Sequence, residues 1–450
     1  MENKHFIGLD LGTSGVKGAL LSRSGEVVRT ATSPFTYSGD GEARLLSPDL
    51  FIESCYSVIR TLADAAGGEV AAICSSGASG SMTALDKSYK PLIPIIGWQT
   101  NIAAEDLAEF YTDEEKKELR RLIGWPIGRG FPGAYIPAIR KRRPDIFERV
   151  AYFVMSIEYL VYTLTGRLGI SHSLATPSDL CDQRAGVYNK RLLDKLSITE
   201  EMLPPLYDRC TPLGTVKGDV AESLHISREC RVVLGSFDHP AGAVGAGVLD
   251  VGEGLLSLGT SWVTLFPIGE RECAEGKPLL IDRYLTDGAP YLVMKSIASV
   301  TERINAARRT LLGSPSHAKF DRLAEASRRG AGGLVLTLTE EDARIAAGWE
   351  PRHVARAIIE CAAGMLRDNI ELMASYGFSA ERLAMIGGIT NSRVCSKIIS
   401  ETVEKPITVV NGEAAGAVGS AMMAAIGVGE FRNEHEAFEK MNFAKTVYLP

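Results

Sequence analysis

The chain has 450 residues, and its composition restricts the classes of protein to which it can belong. Hydrophobic residues make up 45% and charged residues 23%, as in a globular α/β protein rather than a disordered or fibrous one. The net charge of −6 argues against a nucleic-acid-binding surface, which needs a basic stripe. Because single cores stop growing at roughly 250–300 residues, we expect two domains.

Targeting and redox features indicate a cytoplasmic protein. The N-terminus enters a strand without an apolar signal segment, and no stretch approaches about 18 consecutive apolar residues. The eight cysteines are scattered without CxxC spacing, which favours free thiols in a reducing compartment. We therefore expect neither a membrane nor a nucleic-acid partner, and the sequence leaves open whether the chain forms a homodimer.

The chain opens with a predicted β-meander. Apolar runs bounded by turn residues predict strands at Phe6–Leu9, Val16–Leu21, Val27–Thr32 and Val70–Ser75. A glycine-rich turn, Gly12–Gly15, joins the first two strands. Ser47 followed by Pro48 predicts the start of a helix that runs to about Ala66.

The pattern of the middle and of the second half of the chain predicts mainly helices, followed by a second hairpin. Residues from about 100 to 230 predict mainly helix, and a strand over Arg231–Leu234 then leads to Asp238. A hairpin follows a glycine-dense passage, where we place the boundary between domains 1–248 and 249–450. The later predicted elements are Leu255–Leu258, Trp262–Phe266, Pro351–Tyr376, Arg382–Ile386, Ser392–Val403, Ile407–Val410 and Ala414–Ile426.

An internal echo links the two halves. Residues 9–14 and 256–261 both place Gly-Thr-Ser in a predicted hairpin turn. In such a turn the glycine lets the backbone approach a phosphate, while amides and hydroxyl groups donate to its oxygens. An ordinary tight turn is the alternative for a single copy, and the second copy favours function. The predicted phosphate-binding residues are Gly12, Thr13, Ser14, Lys17, Gly259 and Thr260.

Two aspartates at strand ends are the candidate chemical groups. Asp10 follows an apolar strand beside the first turn, where its carboxylate can hold Mg²⁺ directly or through water. Asp238 lies between a strand and a glycine-rich helix, so its carboxylate would project at the carboxyl end of the sheet as a general base. The alternative for Asp238 is a helix N-cap, which an Asp before a proline also provides.

A double glycine near the end of the chain predicts an adenosine site. Gly387 and Gly388 follow a predicted strand and precede Ser392 at a helix start. This geometry lets a flat adenine or a ribose lie against the backbone. The small-residue helix that begins at Ala414 predicts close helix packing with or without a ligand.

Taken in order, these segments resemble the FGGY carbohydrate kinase family, which includes xylulose, gluconate, ribulose and glycerol kinases. The matching stretches are 7–17, 159–166, 235–247, 257–261, 356–367 and 387–425. The resemblance implies an α/β fold of two actin-like ATPase (ribonuclease H-like) domains with a cleft between them. The first domain is then mainly acceptor-binding and the second mainly ATP-binding.

The resemblance also implies a reaction and its cofactors. ATP and Mg²⁺ would be used to phosphorylate a hydroxyl of a sugar, a polyol or a related metabolite. Asp238 would be the base and Asp10 would belong to the Mg²⁺ site. Thr13 and Thr260 would then contact the phosphates, and Gly388 and Ser392 would lie beside the adenosine.

The departures from the family fall on the acceptor side. Xylulose-type relatives carry Gln-Met-His-Gly where this chain reads Ala78-Ser79-Gly80-Ser81, so the histidine is absent. The family's Trp-x-Asp-x-Arg appears as Trp98-Gln99-Thr100-Asn101-Ile102. We therefore hypothesise an acceptor other than xylulose or glycerol. The candidate acceptor contacts are Ser79, Gly80, Trp98, Tyr135, Asp238 and His239.

Two rival interpretations remain at the level of sequence. The first is an actin-like regulatory ATPase, since one fold serves many functions. The second is a sugar- or nucleotide-binding protein without turnover, which the lost acceptor motifs would fit. The retention of Asp10, Thr13, Asp238 and Thr260 favours an active kinase over both.

Overall fold

The fold is that of a computed structural model, which describes residues 4–38, 43–102, 110–128, 130–259, 261–286 and 288–450. The chain divides into two compact units. Unit 1 comprises residues 1–245, 271–287 and 416–443, and unit 2 comprises 246–270, 288–415 and 444–450. The first boundary lies near the division placed at 248/249. The later segments of unit 1 differ from a single division, because the chain returns twice to the first unit.

The strands are numbered in chain order. They are β1 His5–Leu11, β2 Gly15–Ser22, β3 Val27–Pro34, β4 Tyr37–Ser38, β5 Leu45–Leu46, β6 Val70–Gly77, β7 Met82–Leu85, β8 Ile95–Ile96, β9 Tyr152–Met155, β10 Ile170–Ser171, β11 Cys181–Asp182, β12 Val187–Tyr188, β13 Leu206–Tyr207, β14 Pro212–Thr215, β15 Arg231–Phe237, β16 Glu253–Leu258, β17 Trp262–Ile268, β18 Leu280–Arg283, β19 Tyr291–Ile297, β20 Arg382–Ile386, β21 Ile407–Val410 and β22 Lys445–Tyr448.

The α-helices are numbered in the same way. They are α1 Pro48–Ala65, α2 Asp113–Ile123, α3 Pro132–Arg142, α4 Pro144–Phe147, α5 Ser156–Thr165, α6 His172–Ala175, α7 Lys190–Leu196, α8 Gly218–Ser223, α9 Asp238–Ala246, α10 Val300–Leu312, α11 His317–Glu325, α12 Asp342–Ile345, α13 Pro351–Ser375, α14 Arg393–Val403, α15 Ala415–Gly427 and α16 Glu434–Met441.

Each unit builds a sheet around one hairpin, and the two sheets repeat the same topology. In unit 1 five strands pair in the order β15-β6-β1-β2-β3, with the first three parallel and the last two antiparallel to their neighbours. In unit 2 the order β21-β20-β16-β17-β19 repeats these directions. The echo in the sequence is therefore a repeat of topology, in which Gly12 follows β1 as Gly259 follows β16.

Close backbone packing joins β1, α9 and α15 within unit 1. A Cβ atom on Gly8 would lie 1.9 Å from the carbonyl oxygen of Ala417, and one on Gly419 would lie 2.0 Å from that of Ala241. Only glycine allows such approaches. The small-residue helix α15 thus packs closely, as predicted, against both β1 and α9.

Several element boundaries differ from those predicted. Among the described residues between 100 and 230, helices alternate with the short strands β9 to β14, so this part is more mixed than predicted. The strand before Asp238 continues to Phe237, which pairs with Gly77 on β6 after an irregularity in the register. The start of α1 is confirmed, since the side chain of Ser47 accepts a hydrogen bond from the N–H of Leu50.

Candidate active site

The first hairpin turn carries an aspartate and a lysine directly opposite each other. Asp10 on β1 pairs with Lys17 on β2 in the antiparallel register. Paired residues of this kind project their side chains on the same face of the sheet. In the turn between them, Ser14 is exposed and Gly12 and Thr13 are partly exposed. A negative and a positive group therefore flank an accessible turn.

The surroundings of Asp10 favour the protonated form of its carboxyl group over the ionised form. Burial raises the pKa of Asp10, the nearby carboxylate of Asp238 raises it further and Lys17 lowers it, and the resulting pKa is about 7. Because two carboxylates repel each other here, a bound divalent cation would stabilise both.

The donor chemistry beside Asp10 fits Mg²⁺, which takes oxygen ligands and keeps several waters. Over the described ranges, no group of three or more His, Cys, Asp or Glu side chains could hold a metal ion. Asp10 would enter the coordination shell directly or through water. Phosphate oxygens and water would supply the rest, as is usual for Mg²⁺ in nucleotide enzymes.

Asp238 begins α9 immediately after β15. Its side chain is 29% exposed, and Oδ1 accepts a hydrogen bond of 2.7 Å from the N–H of His239. An N-cap side chain would instead accept from an amide two or three residues further on. The contact therefore differs from the N-cap alternative, and the carboxylate keeps access to solvent.

A chain of hydrogen bonds that the sequence did not reveal holds the backbone before Asp238. The N–H of Phe237 donates to Oγ of Ser173 at 3.2 Å, and Ser173 donates to Oδ2 of Asp282 at 3.1 Å. Asp282 is fully buried, and burial raises its pKa to about 8. Asp282 belongs to the later segment of unit 1, residues 271–287. No sequence motif marks this segment, so its contribution could not be predicted.

The turn at Thr13 is tied to the candidate acceptor segment. The indole Nε1 of Trp98 donates to Oγ1 of Thr13 at 3.2 Å, and the hydroxyl of Tyr37 donates to the carbonyl oxygen of Thr13 at 2.8 Å. The N–H of Trp98 donates to Oγ of Ser81 at 3.1 Å. A side-chain hydrogen bond thus connects Thr13, a predicted phosphate-binding residue, with Trp98, a predicted acceptor contact.

Two predicted acceptor contacts have hydroxyl groups that are already engaged. Ser79 is buried and donates to the carbonyl oxygen of Leu174 at 2.9 Å. Tyr135 is buried and its hydroxyl lies 3.0 Å from the carbonyl oxygens of both Gly97 and Thr100. These bonds favour a supporting role, in which Tyr135 holds the loop that carries Trp98. Direct contact with an acceptor stays a prediction for both residues.

A connected set of five rings leads from Trp98 to the residue after Asp238. The centroid distances are 6.3 Å for Trp98–Phe131, 6.0 Å for Trp125–Phe131, 5.4 Å for Trp125–Phe237 and 5.3 Å for Phe237–His239. We call these five residues the aromatic series. Sequence reasoning included Trp98 and His239 but missed the three rings between them, because no spacing pattern links them.

The second hairpin turn lies in unit 2 and joins β16 to β17. Gly259 is exposed, and its carbonyl oxygen accepts a hydrogen bond of 2.6 Å from Oγ1 of Thr301. The same oxygen of Thr301 accepts from the indole Nε1 of Trp262 at 3.2 Å. Thr260, the predicted phosphate residue of this turn, lies outside the described residues.

The predicted adenosine residues lie at the end of β20 in unit 2. Gly387 has φ +106°, and a Cβ there would lie 2.3 Å from the carbonyl oxygen of Leu258, so glycine is required. Gly388 is exposed, and a Cβ there would have no neighbour within 4 Å. Ser392 caps α14 by accepting from the N–H of Cys395 at 3.0 Å. The structure leaves space beside Gly388 and engages Ser392 as a cap.

Comparison with protein families assigns both parts of the chain to one family. Residues 5–245 match the FGGY family of carbohydrate kinases, N-terminal domain, and residues 326–428 match its C-terminal domain. Within the described part of the chain, no helix is both long and apolar enough to cross a membrane.

Individual relatives give the same result. A xylulose kinase of Lactococcus lactis is 26% identical over 99% of this chain and 92% of its own length. An L-xylulose/3-keto-L-gulonate kinase of Escherichia coli is 25% identical over 99% and 93%. A crystal structure of xylulose kinase from Rhodospirillum rubrum shares the fold with a TM-score of 0.86 at 22% identity, covering 99% of this chain and 94% of that one.

A structure of Plasmodium falciparum glycerol kinase with ADP also has a TM-score of 0.86, at 16% identity, over 99% of this chain and 94% of that one. Similarity at this level of identity establishes the fold, which is that of two actin-like domains as the sequence predicted.

Proposed function

Because the chain belongs to the FGGY family of carbohydrate kinases, we propose that it transfers the γ-phosphoryl group of Mg·ATP to a hydroxyl of a sugar, a polyol or a sugar-like metabolite, with Asp238 as the general base. The observation that carries the proposal is the placement of Asp238, partly exposed at the head of α9. The negative charge of Asp238 also raises the pKa of Asp10. A base needs access from solvent and a fixed position, and the 29% exposure of Asp238 and its bonded backbone support that role.

The proposed steps divide between positioning and electrostatics. Asp238 accepts the proton of the acceptor hydroxyl as that oxygen attacks the phosphorus. The bond to Ser173 fixes the backbone from which Asp238 projects. Phosphoryl transfer depends mainly on such alignment and on stabilising the charge of the equatorial oxygens. Lys17 and the amides of the first turn are the groups we assign to that charge.

We assign the nucleotide mainly to unit 2. The supports are the exposed turn at Gly259 and the open space beside Gly388. Family membership implies the use of ATP, and Mg²⁺ at Asp10 is our proposal from its oxygen chemistry. Mg²⁺ would neutralise charge on the phosphate oxygens when bound.

We also propose an acceptor other than xylulose or glycerol. The support is the altered acceptor segment, in which Gly80 replaces the histidine and Trp98 is followed by uncharged side chains. A cytoplasmic location is a further proposal, and it is supported by the scattered spacing of the eight cysteines, which form no CxxC pair. Homodimer formation stays a prediction.

The decisive experiment is ADP release from Mg·ATP across a panel of ketoses, aldoses, polyols and sugar acids. Asp238→Ala should lower kcat by about a hundred- to ten-thousand-fold with the best acceptor, because a general base contributes that much. Asp113→Ala is the matched control, since its carboxylate is 85% exposed on α2. A slow ATPase that no acceptor stimulates and that ignores Asp238→Ala would instead support the regulatory or binding alternatives.

A further inference from the structure

Phe131 occupies the space above Gly80. A Cβ atom on Gly80 would lie 2.0 Å from Cδ1 of Phe131, and Gly80 has φ +100°. A side chain at position 80 would therefore need both the ring and the backbone to move. The position where xylulose-type kinases carry a histidine is thus covered by an aromatic ring in this chain.

The polar groups of residues 79–81, at the glycine that Phe131 covers, are engaged with protein atoms, and the indole Nε1 of Trp125, which has no partner among the described residues, is buried. The N–H of Gly80 donates to the sulfur of Met155 at 3.2 Å. The hydroxyl of Ser79 is bonded to a main-chain carbonyl, and Oγ of Ser81 accepts from Trp98. A substrate hydroxyl placed against Phe131 would lose its bonds to water without a replacement, which disfavours binding.

The aromatic series is accessible at its ends and buried in its middle. Trp98 and Phe131 are partly exposed, and the side chain of His239 is 22% exposed. Trp125 and Phe237 are each 7% exposed. They pack against Phe131 and His239 on the buried side of the series. The accessible ends border the first hairpin turn and Asp238, which are the places the acceptor must approach.

Resting on the proposed kinase function, we propose that the acceptor is a deoxy sugar or deoxy polyol, whose methyl or methylene segment lies against Phe131 and Trp98 while a hydroxyl faces Asp238. An apolar carbon segment on these rings is released from water and leaves no polar atom unpaired. The aromatic series then selects against the fully hydroxylated compound.

The test compares kcat/KM for acceptors in matched pairs that differ by one hydroxyl, such as D-xylulose with 1-deoxy-D-xylulose, and ketohexoses with their 6-deoxy counterparts. We expect the deoxy member of at least one pair to be preferred by about tenfold or more, as apolar pockets discriminate at this level. Preference for the hydroxylated member in every pair would overturn the inference and leave the kinase function standing. No turnover with any acceptor would overturn both.

Variants of Phe131 separate apolar recognition from packing. Phe131→Leu keeps an apolar surface and should retain the preference, whereas Phe131→Ser should reduce the ratio of kcat/KM values to near one. The matched control is Phe147→Ser, a partly buried phenylalanine that packs on Phe153 at a centroid distance of 6.0 Å outside the series. Thermal melts establish that each variant is folded, and if the Ser variant unfolds, the Leu variant and the matched pairs carry the test. A ratio that Phe131→Ser leaves unchanged would contradict the role given to this ring.

Discussion

The two hairpin turns share a topology and differ in the side chains that flank them. In the first, Asp10 and Lys17 face each other across β1 and β2. At the corresponding positions of the second, Ser257 pairs with Val263 across β16 and β17. The correspondence follows from the register, since each pair lies one residue before the end of the first strand.

This difference shows how one backbone motif can serve two purposes. A turn can bind phosphate through amides and hydroxyl groups alone. Charged groups act more strongly than neutral ones on a metal ion or on the pKa of a neighbouring base, and Asp10 and Lys17 supply charges where Ser257 and Val263 do not. We infer that the first hairpin contributes to the chemistry and that the second mainly positions the nucleotide.

The largest expected difference between the hairpins comes from their paired strand residues. Asp10→Asn should lower kcat by roughly a hundredfold or more, since it removes the charge that we propose acts on the phosphate and metal site. Ser257→Ala, the corresponding change in unit 2, should alter kcat by less than about threefold, since it removes one neutral hydroxyl. Steady-state kinetics over a range of Mg²⁺ concentrations measure both. Equal losses in the two variants would contradict the division of roles.

The turn glycines test whether both hairpins approach phosphate. A Cβ on Gly12 would lie 3.5 Å from its nearest neighbour, and one on Gly259 would lie 3.9 Å from its own. Alanine should therefore fit at both positions without loss of stability. Gly12→Ala and Gly259→Ala should each raise the KM for ATP by about tenfold or more, because a small displacement of a reacting group is costly. An unchanged KM in either variant, with an unchanged Tm, would exclude that turn from the phosphate site.

The pH dependence of stability should differ between the hairpins. The pKa of Asp10 is about 7 in the folded protein, against an ordinary value of 3.8. Between these pH values the folded protein holds a proton that the unfolded chain has released, so the free energy of unfolding falls as the pH rises.

Asp10→Asn should remove this dependence of the free energy of unfolding on pH, because the amide does not titrate. In the absence of nucleotide and Mg²⁺, its Tm should exceed the wild-type value at pH 8 and match it near pH 4. Ser257→Ala should show no such pH-dependent difference. Thermal melts across this range provide the measurement, and parallel curves for wild type and Asp10→Asn would show that the carboxyl group is not perturbed.

The smallest expected effect within the first hairpin is at Ser14. Its side chain is exposed in the first turn, so it can contribute one hydrogen bond to a phosphate oxygen. Ser14→Ala should raise the KM for ATP by about twofold to tenfold, the value of a single net hydrogen bond. Ser24→Ala, at another exposed turn in the same meander, is the control. A loss as large as that of Asp10→Asn would mean that Ser14 has a further role.

The sequence predicted the parts of the site that depend on local pattern. The strand before Asp238, the helix after it and the hairpin after β1 were all evident, because continuous apolar runs bounded by glycine turns are local signals. The register that places Lys17 opposite Asp10 follows directly from a four-residue turn. These features need no information about distant contacts.

The parts that sequence reasoning missed depend on contacts between distant segments. Asp282 reaches Ser173 only because residues 271–287 belong to unit 1. Phe131 covers Gly80 because the ring and the glycine are brought together by tertiary packing. The short strands β9 to β14 were not predicted, because runs of this length do not separate helix from strand by periodicity.

The central claim is that Asp238 accepts a proton from an acceptor hydroxyl that then receives the γ-phosphoryl group. The most direct measurement is a single turnover with ATP labelled in the γ-phosphate and the best acceptor of the panel. The label is followed with wild type and Asp238→Asn. We expect the label on the acceptor in wild type, and transfer at least about a hundredfold slower in the variant with ATP affinity unchanged. Label released as inorganic phosphate at the same rate by both proteins would contradict the account.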